Sequence, residues 1–539
     1  MSYDYIIVGG GVSGLNTSLK LANGKNKILL LERNNRLGGR LHTYNKKNIN
    51  YEIGGARFHK GHKNLFELIK MFNLEKMLVP ITNDITFMPI KNKFKKKYDT
   101  NKIIDKLLEK SSSISKIDLL KTNLSKLSDK LLDLEESNYF KSSFEYISEL
   151  ENLNAYESIE TFKNDLNHKL QFYLFKNGFS ELIELMGKFL QENNCDIKLQ
   201  HTLINIKKEK ETYILDILNS SNSNSNSYKT NSNSYKTNNL ILALDKTALL
   251  SIPYLKPIHS ILNSVEGIPL LRIYAIYPAD PKTKKVWFHD IGKVTTDLDI
   301  KYIIPYNIKT GLIMISYTDQ KLALQWNNMG TDLQNNIAKQ LKKLFPNKKI
   351  PKPTYIKPHF WNNGIHFWKD NKEGFVESKK ILQPFKNESL YICGEAYSER
   401  QGWVEGALES SEEVIKLINS IKTNKKSHHQ SETKINKIKK KSHHQRENTK
   451  SHHQRENKKS KKIKFYTKKE VAKHNKKDDL WIIINKQVLD VTKWQHSHPG
   501  SASPIQKMGG KDATNAFMWR GHSSYAKKLM KQFIIGKIK

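Results

Sequence analysis

The stretch that decides the fold is Tyr3–Ala22, YDYIIVGGGVSGLNTSLKLA. Its apolar run Tyr5–Val8 predicts a short buried strand, Gly9, Gly11 and Gly14 form G-x-G-x-x-G, and Leu15–Ala22 has helical spacing. Strand, glycine turn and helix in this order let the backbone approach a pyrophosphate. That group then sits against the amides around Val12 and Ser13, at the positive end of the helix. A second strand, Lys27–Leu31, ends at Glu32, 18 residues past Gly14. A carboxylate there accepts both hydroxyls of an adenosine ribose, which favours FAD or NAD over a phosphorylated nicotinamide cofactor.

Two further stretches separate FAD from NAD. Glu32-Arg33 runs into Arg36-Leu37-Gly38-Gly39-Arg40, and Ile392 opens ICGEAYSERQGWVEGALESSEEVI. Both resemble signatures of the FAD-dependent amine oxidase superfamily, of the L-amino-acid and monoamine oxidase kind, over roughly residues 1–420. The resemblance implies an α/β fold: a Rossmann-like FAD-binding domain with an interleaved α+β substrate domain. It implies that Arg33, Arg40, Gly54 and Gly55 join the glycine turn around FAD. Gly394, Glu395 and the amides from Val404 to Ala407 would lie along the ribityl chain and pyrophosphate, and Trp403 on the substrate side of the isoalloxazine ring. Leu203, in LQHTLINI, falls where the family places a valine whose backbone contacts adenine. The expected FAD-binding parts are residues 1–75, 190–255 and 385–420, and the substrate domain 76–189 and 256–384.

The substrate residues follow from the same resemblance. In YEIGGARFHKGHKNLFELIKMFNL, Arg57 and His62 match an arginine and a histidine of L-amino-acid oxidases, the arginine binding the substrate carboxylate. A planar guanidinium fork suits that group, and the other reading is that Arg57 pairs with a protein carboxylate or the cofactor while His62 merely begins a helix. Trp403 matches one of two aromatics that flank the path to the flavin, and Trp368 or Trp361, in HFWNNGIHFWKD, is the candidate for the other. In LLRIYAIY, Arg272 stands where many members carry a lysine that holds a water near flavin N5, and arginine stays protonated, so ordinary oxygen reactivity is in doubt.

Composition narrows the rest. No run of 18 apolar residues occurs and no basic leader with a cleavage site precedes the first strand, so a soluble, cytoplasmic chain, neither spanning nor secreted, is expected. The two cysteines, Cys195 and Cys393, suit a reducing compartment, and Cys393 reads as a small core residue rather than a nucleophile. The net charge of +38 brings no nucleic-acid motif with it, so nucleic acid is not the expected partner. Residues 421–463 hold a net +12 of that charge and repeat SHHQ at Ser427, Ser442 and Ser451, which predicts a disordered basic linker. SNSYKTN occurs twice in tandem, at Ser225 and Ser232, and reads as an expanded loop between the strands Thr212–Ile217 and Leu240–Leu244. Helical periodicity dominates residues 103–190, and strand-like runs fill 265–325.

Residues 464–539 stand apart. Strands are expected at Trp481–Ile484 and Gln487–Val491, with His498-Pro499-Gly500 and Gly521-His522 beyond them. This stretch resembles cytochrome b5, a small α+β domain. The resemblance implies haem b held by His498 and His522 from opposite faces, 24 residues apart, in an apolar pocket that includes Leu489 and Phe517. Ser501 replaces the family's second glycine, and His496 is a neighbouring histidine out of register with the motif. An iron ligated on both faces leaves no open site, so this domain is expected to pass electrons to or from a redox partner protein.

Together these readings imply an FAD-dependent oxidoreductase acting on a small amine or L-amino acid, with electrons leaving to O2 or through the tethered haem. Two alternatives stay open: a flavin desaturase or oxidase of a non-amine substrate, and a non-catalytic flavin and haem carrier tethered by its basic linker.

Overall fold

Tyr5–Val8 forms a fully buried strand, β1. The computed structural model describes residues 1–46, 49–219, 232–421, 464–497, 502–519 and 530–539. It divides into two units, Met1–Thr433 and Lys434–Lys539.

In the first unit β1 is followed by helix α1 (Val12–Leu21) and β2 (Ile28–Leu31). Three strands distant in sequence join them: β3 (Cys195–Lys198), β4 (Leu240–Leu242) and β5 (Leu390–Ile392). The sheet order is β3-β2-β1-β4-β5, with every pairing parallel. Such a sheet is covered on both faces, so β1, β2, β4 and β5 are apolar and buried throughout, while the edge strand β3 carries Asp196 and Lys198. Tyr5, Ile7, Leu30 and Ile241 pack against Leu15 and Leu19 of α1, Leu182 and Met186 of helix Phe179–Glu192, and Leu408 and Val414. Ile6, Val8, Leu29 and Leu240 face the other way, onto Leu203, Tyr213 and Leu215 of an antiparallel meander. Each fully buried aliphatic side chain contributes roughly 1.5–3 kcal/mol. Cys195 and Cys393 are free and buried in the first of these cores, and burial pushes both thiols up, Cys195 to about 12.

The meander corrects the reading of the tandem repeat. Its second copy is not a loop: Ser232–Thr237 is a strand, antiparallel to Thr212–Asn219 and parallel to Ser2–Tyr3. Alternation is the reason, since Tyr235 and Thr237 are buried and Tyr235 meets Tyr3 edge to face at 6.2 Å. The first copy lies outside the described residues, as does the basic tract from residue 422 to 463.

The second sheet of this unit has six strands, ordered Tyr355–Trp368, Val265–Ile276, Leu312–Asp319, Tyr302–Asn307, Lys293–Thr296 and Ile85–Met88. Helices between Thr100 and Asn164 form a separate bundle around Phe140, Leu124 and Ile159. Side chains of Asp99, Ser115, Asn123, Asp133 and Asn154 cap their N-termini, so each short helix starts where the sequence supplies an acceptor.

The second unit is a five-stranded sheet, ordered Phe465–Tyr466, Ile534–Ile538, Gln487–Asp490, Asp479–Ile484 and Asn475–Lys476. Thr467 and Glu470 close a capping box at its first helix. Among the described residues no helix is long and apolar enough to cross a membrane.

Candidate active site

One cavity of about 1220 Å³ runs through the first unit, and nearly every expected cofactor residue lines it: Gly9, Gly11, Val12, Ser13, Glu32, Arg33, Arg40, Gly54, Gly55, Leu203, Gly394, Glu395, Trp403 and Val404. Such a volume exceeds the roughly 300–1,000 Å³ of an ordinary ligand cleft. Gly14 does not line it and has a packing role, because a Cβ there would stand 2.0 Å from the Gly9 carbonyl oxygen. Gly9 itself has φ +108°, and its Cβ would meet the Ala243 carbonyl at 2.2 Å. Gly11 differs, since a Cβ there would meet nothing within 4 Å and would point into open space. Gly11 is also the N-cap of α1, with no side-chain hydrogen bond closing the helix end. An open backbone cradle at the first turn of α1, with no side chain capping it, fits a pyrophosphate.

Glu32 closes the turn. Its carboxylate accepts from the Gly10 amide at 2.7 Å and from the Asn34 amide and side chain at 2.8 and 2.6 Å. Leu203 lies across the same cavity at a register shift in its ladder, where Ile204 is skipped between Leu203 and Asn205. The donor set and the glycine cradle therefore fit the adenosine and pyrophosphate parts of FAD.

Glu395 joins the late segment to the early one. Its buried carboxylate accepts from Arg40 at 2.5 Å, His366 Nδ1 at 2.9 Å, the His366 amide at 3.0 Å and the Gly402 amide at 2.9 Å. Burial alone would push this carboxyl up, but Arg40, His366 and the amide outweigh it and hold it well below the usual range. Gly394, with φ +135°, is the backbone switch that turns the chain from β5 into this position.

The other end of the cavity is built from aromatics and cations. The Arg57 guanidinium lies over the rings of Tyr146, Phe172 and Trp403, at 5.7, 5.3 and 5.7 Å. Burial works against its charge, but Tyr146, Tyr302 and Glu145 more than reverse that and keep it protonated. No carboxylate among the described residues comes within 4 Å of it. Arg272 lies 4.6 Å from the Tyr317 ring centroid and donates to the Glu52 carbonyl at 3.1 Å. Tyr146, Tyr302 and Tyr317 pack against one another between the two arginines, with centroids 5.5–6.4 Å apart.

The expectation for Trp368 is corrected here, and of the two readings of His62 the structure supports the one that places it at the start of a helix, as the N-cap of Lys63–Met71. Trp368 does not line the cavity: it is 1% exposed in the core beneath the parallel sheet, and its indole donates to the Ser398 carbonyl. Trp361, seven residues earlier on the same strand, reaches the cavity instead and donates to the Ile53 carbonyl at 2.6 Å. His62 is fully buried behind Trp403, 3.0 Å from Asp165, and burial lowers its pKa so that it stays neutral. It supports the wall rather than facing substrate. Lys293, Tyr146, Tyr302, Tyr317 and Glu149 also line the cavity and carry no motif. Only the periodicity of their strands and helices was readable, not the direction in which they converge.

In the second unit Leu489 is buried in an apolar cluster with Leu480, Ile482, Ile484 and Val491, and Phe517 packs on it. His498, Ser501 and His522 lie outside the described residues, as does the side chain of His496. The apolar cluster fits one wall of a haem pocket.

Comparisons with known proteins agree with both units. A putrescine oxidase redesigned in its cofactor binding superposes with a TM-score of 0.61 at 14% identity, over 78% of this chain and 99% of its own. A protein from Exiguobacterium sp. 255-15, described as a "Putative protoporphyrinogen oxidase", gives 0.56 at 15% identity over 77% and 98%. At these identities the likeness is one of fold. Cytochrome b5 of Musca domestica is 45% identical over 76 residues, and that of Sus scrofa 41% over 78, each match covering 14% of this chain. The chain spans just over half the length of these relatives, 57% and 58%. The model described as "Cytochrome b5-like Heme/Steroid binding domain" matches residues 467–539, and "Flavin containing amine oxidoreductase" matches residues 12–415. With that span covering most of its length, the chain belongs to the flavin containing amine oxidoreductases, with FAD as cofactor, and carries a C-terminal cytochrome b5-like domain, with haem as its cofactor.

Proposed function

We propose that the chain oxidises an L-amino acid at its α-carbon, with Arg57 holding the substrate carboxylate. The observation that carries this reading is the Arg57 guanidinium, caged by three aromatic rings on the cavity wall with no protein carboxylate within 4 Å among the described residues. A charged group so placed is costly unless an anion meets it, and its planar fork matches a carboxylate. Bound FAD supplies the acceptor for the hydride and its two electrons. Gly9, Gly11, the α1 amides, Glu32, Arg40, Gly394 and Val404 would hold it, and Trp403 and Trp361 would flank the substrate.

The cationic wall of Arg57, Arg272 and Lys293 has a second effect: it disfavours an ammonium and so favours the free amine, the form able to release hydride. It also opposes a diamine, which would bring two positive charges into the same space. The imine product then hydrolyses in water to a 2-oxo acid and ammonia. Electrons leave to O2 or through the haem domain to a redox partner protein. The two buried free thiols suit a reducing compartment such as the cytoplasm.

The test is anaerobic mixing of the full-length protein with L-amino acids and with amines while flavin bleaching and haem reduction are followed together. Amino acids are expected to bleach the flavin, and Arg57→Ala to slow this by about 100-fold or more while retaining FAD. Bleaching by amines alone would overturn the reading. Oxidation without ammonia release would favour the non-amine alternative.

A further inference from the structure

Lys293 begins the strand Lys293–Thr296, and its Nζ donates to the Thr82 carbonyl while lining the same cavity as Arg57. No carboxylate among the described residues lies within 4 Å of this ammonium. It is partly buried, and burial together with the positive charge of Arg57 pushes its pKa down to about 8. Two cations, Arg57 acting on Lys293 through its charge, thus line one cavity with little to offset them. Glu145 acts on both and Asp84 on Lys293, each from beyond ion-pair distance. Glu149, the carboxyl that lines the cavity beside Tyr146, is pushed up to about 8 by burial and by Asp319, so it is largely protonated at neutral pH. Arg272 adds a third positive charge, partly offset by Glu52, whose own carboxyl burial pushes up to about 7.

We propose that the substrate is a dicarboxylic L-amino acid, aspartate or glutamate, whose side-chain carboxylate is taken by Lys293 while Arg57 holds the α-carboxylate. This rests on the amino-acid reading above and narrows it. An apolar side chain would leave a partly desolvated ammonium without a counter-charge near a second cation, whereas a carboxylate supplies one and relieves the repulsion. A site built around a polar partner rejects the analogue that lacks it far more strongly than an apolar pocket rejects a misfit. Lys293 is therefore a specificity residue that no motif marks.

The experiment compares flavin bleaching of the full-length, FAD-loaded protein under anaerobic conditions by L-glutamate, L-aspartate, their amides L-glutamine and L-asparagine, L-methionine and putrescine. Each acid is expected to exceed its amide by about tenfold or more in second-order rate. Lys293→Met is expected to collapse that ratio and Lys293→Arg to keep most of it, with flavin absorbance reporting the integrity of both variants. Amides or methionine reacting as fast as the acids would overturn this inference and leave the amino-acid reading standing. Putrescine reacting alone, or none of the six, would overturn both. The acid-to-amide ratio needs only the unaltered protein, so a variant that fails to load FAD leaves the result decisive.

Discussion

The two ends of the cavity are made of different materials. The nucleotide end is backbone: glycines, helix amides and one carboxylate, most of it within the first 55 residues. The end proposed to take substrate is side chain: arginines, a lysine and tyrosines drawn from separate strands and loops between Arg57 and Trp403. Backbone recognition depends on positions where a Cβ is forbidden, so it leaves glycines in a fixed spacing. Side-chain recognition depends on convergence in space and leaves no spacing at all. A change at the first end therefore removes the cofactor, whereas a change at the second redirects chemistry on a cofactor still bound.

The largest effect should come from breaking the nucleotide end without breaking the fold. At Gly11 a new Cβ meets nothing within 4 Å and φ is −71°, so Gly11→Glu is expected to fold as judged by circular dichroism. Its carboxylate, facing the cradle for a pyrophosphate, should weaken FAD by at least about 100-fold, read as flavin lost on desalting. Gly9→Ala offers the contrast, because a Cβ 2.2 Å from the Ala243 carbonyl at positive φ disrupts folding itself.

The joint between the two ends comes next. Glu395→Ala would leave Arg40 without its carboxylate and two backbone amides without their acceptor, a cost of about 3–5 kcal/mol in thermal or denaturant unfolding. Because the folded pKa of Glu395 is depressed, its stabilisation is complete above the unfolded value of about 4.3 and falls as pH drops toward the folded value. The wild-type protein should lose that increment on acidification below pH of about 4, and the variant should lack this part of the slope.

The smallest effect sharpens the comparison along one strand. Trp368→Phe is expected to cost about 1–2 kcal/mol of stability, through the lost hydrogen bond to Ser398, with substrate kinetics unchanged. Trp361→Phe should instead alter bleaching rates, since this side chain reaches the cavity. Kinetics that respond to Trp368 and ignore Trp361 would invert the placement.

That pair also shows how much was legible. Both tryptophans sit in HFWNNGIHFWKD on one strand, Trp361 pairing with Leu270 and Trp368 with Val265. Seven residues apart on that strand, they point to opposite faces by simple alternation, and the sequence carries no sign of which face meets the cavity. The histidines expected to hold haem, His498 and His522, are the opposite case, singled out by motif while lying outside the described residues.

What the sequence determined by itself is the cofactor chemistry: the glycine turn, Glu32, the late segment at Gly394 and Glu395, and the histidine motifs of the cytochrome b5-like domain. Each is a local arrangement in which backbone geometry or metal ligation dictates residue type, so type and spacing carry the information. Only the tertiary structure decided that Trp361 and not Trp368 reaches the cavity, that Glu395 is shared by Arg40 and His366, and that Lys293 stands near Arg57. Those relations join residues 7 to 355 positions apart, and burial, charge and packing act through space whatever the separation along the chain.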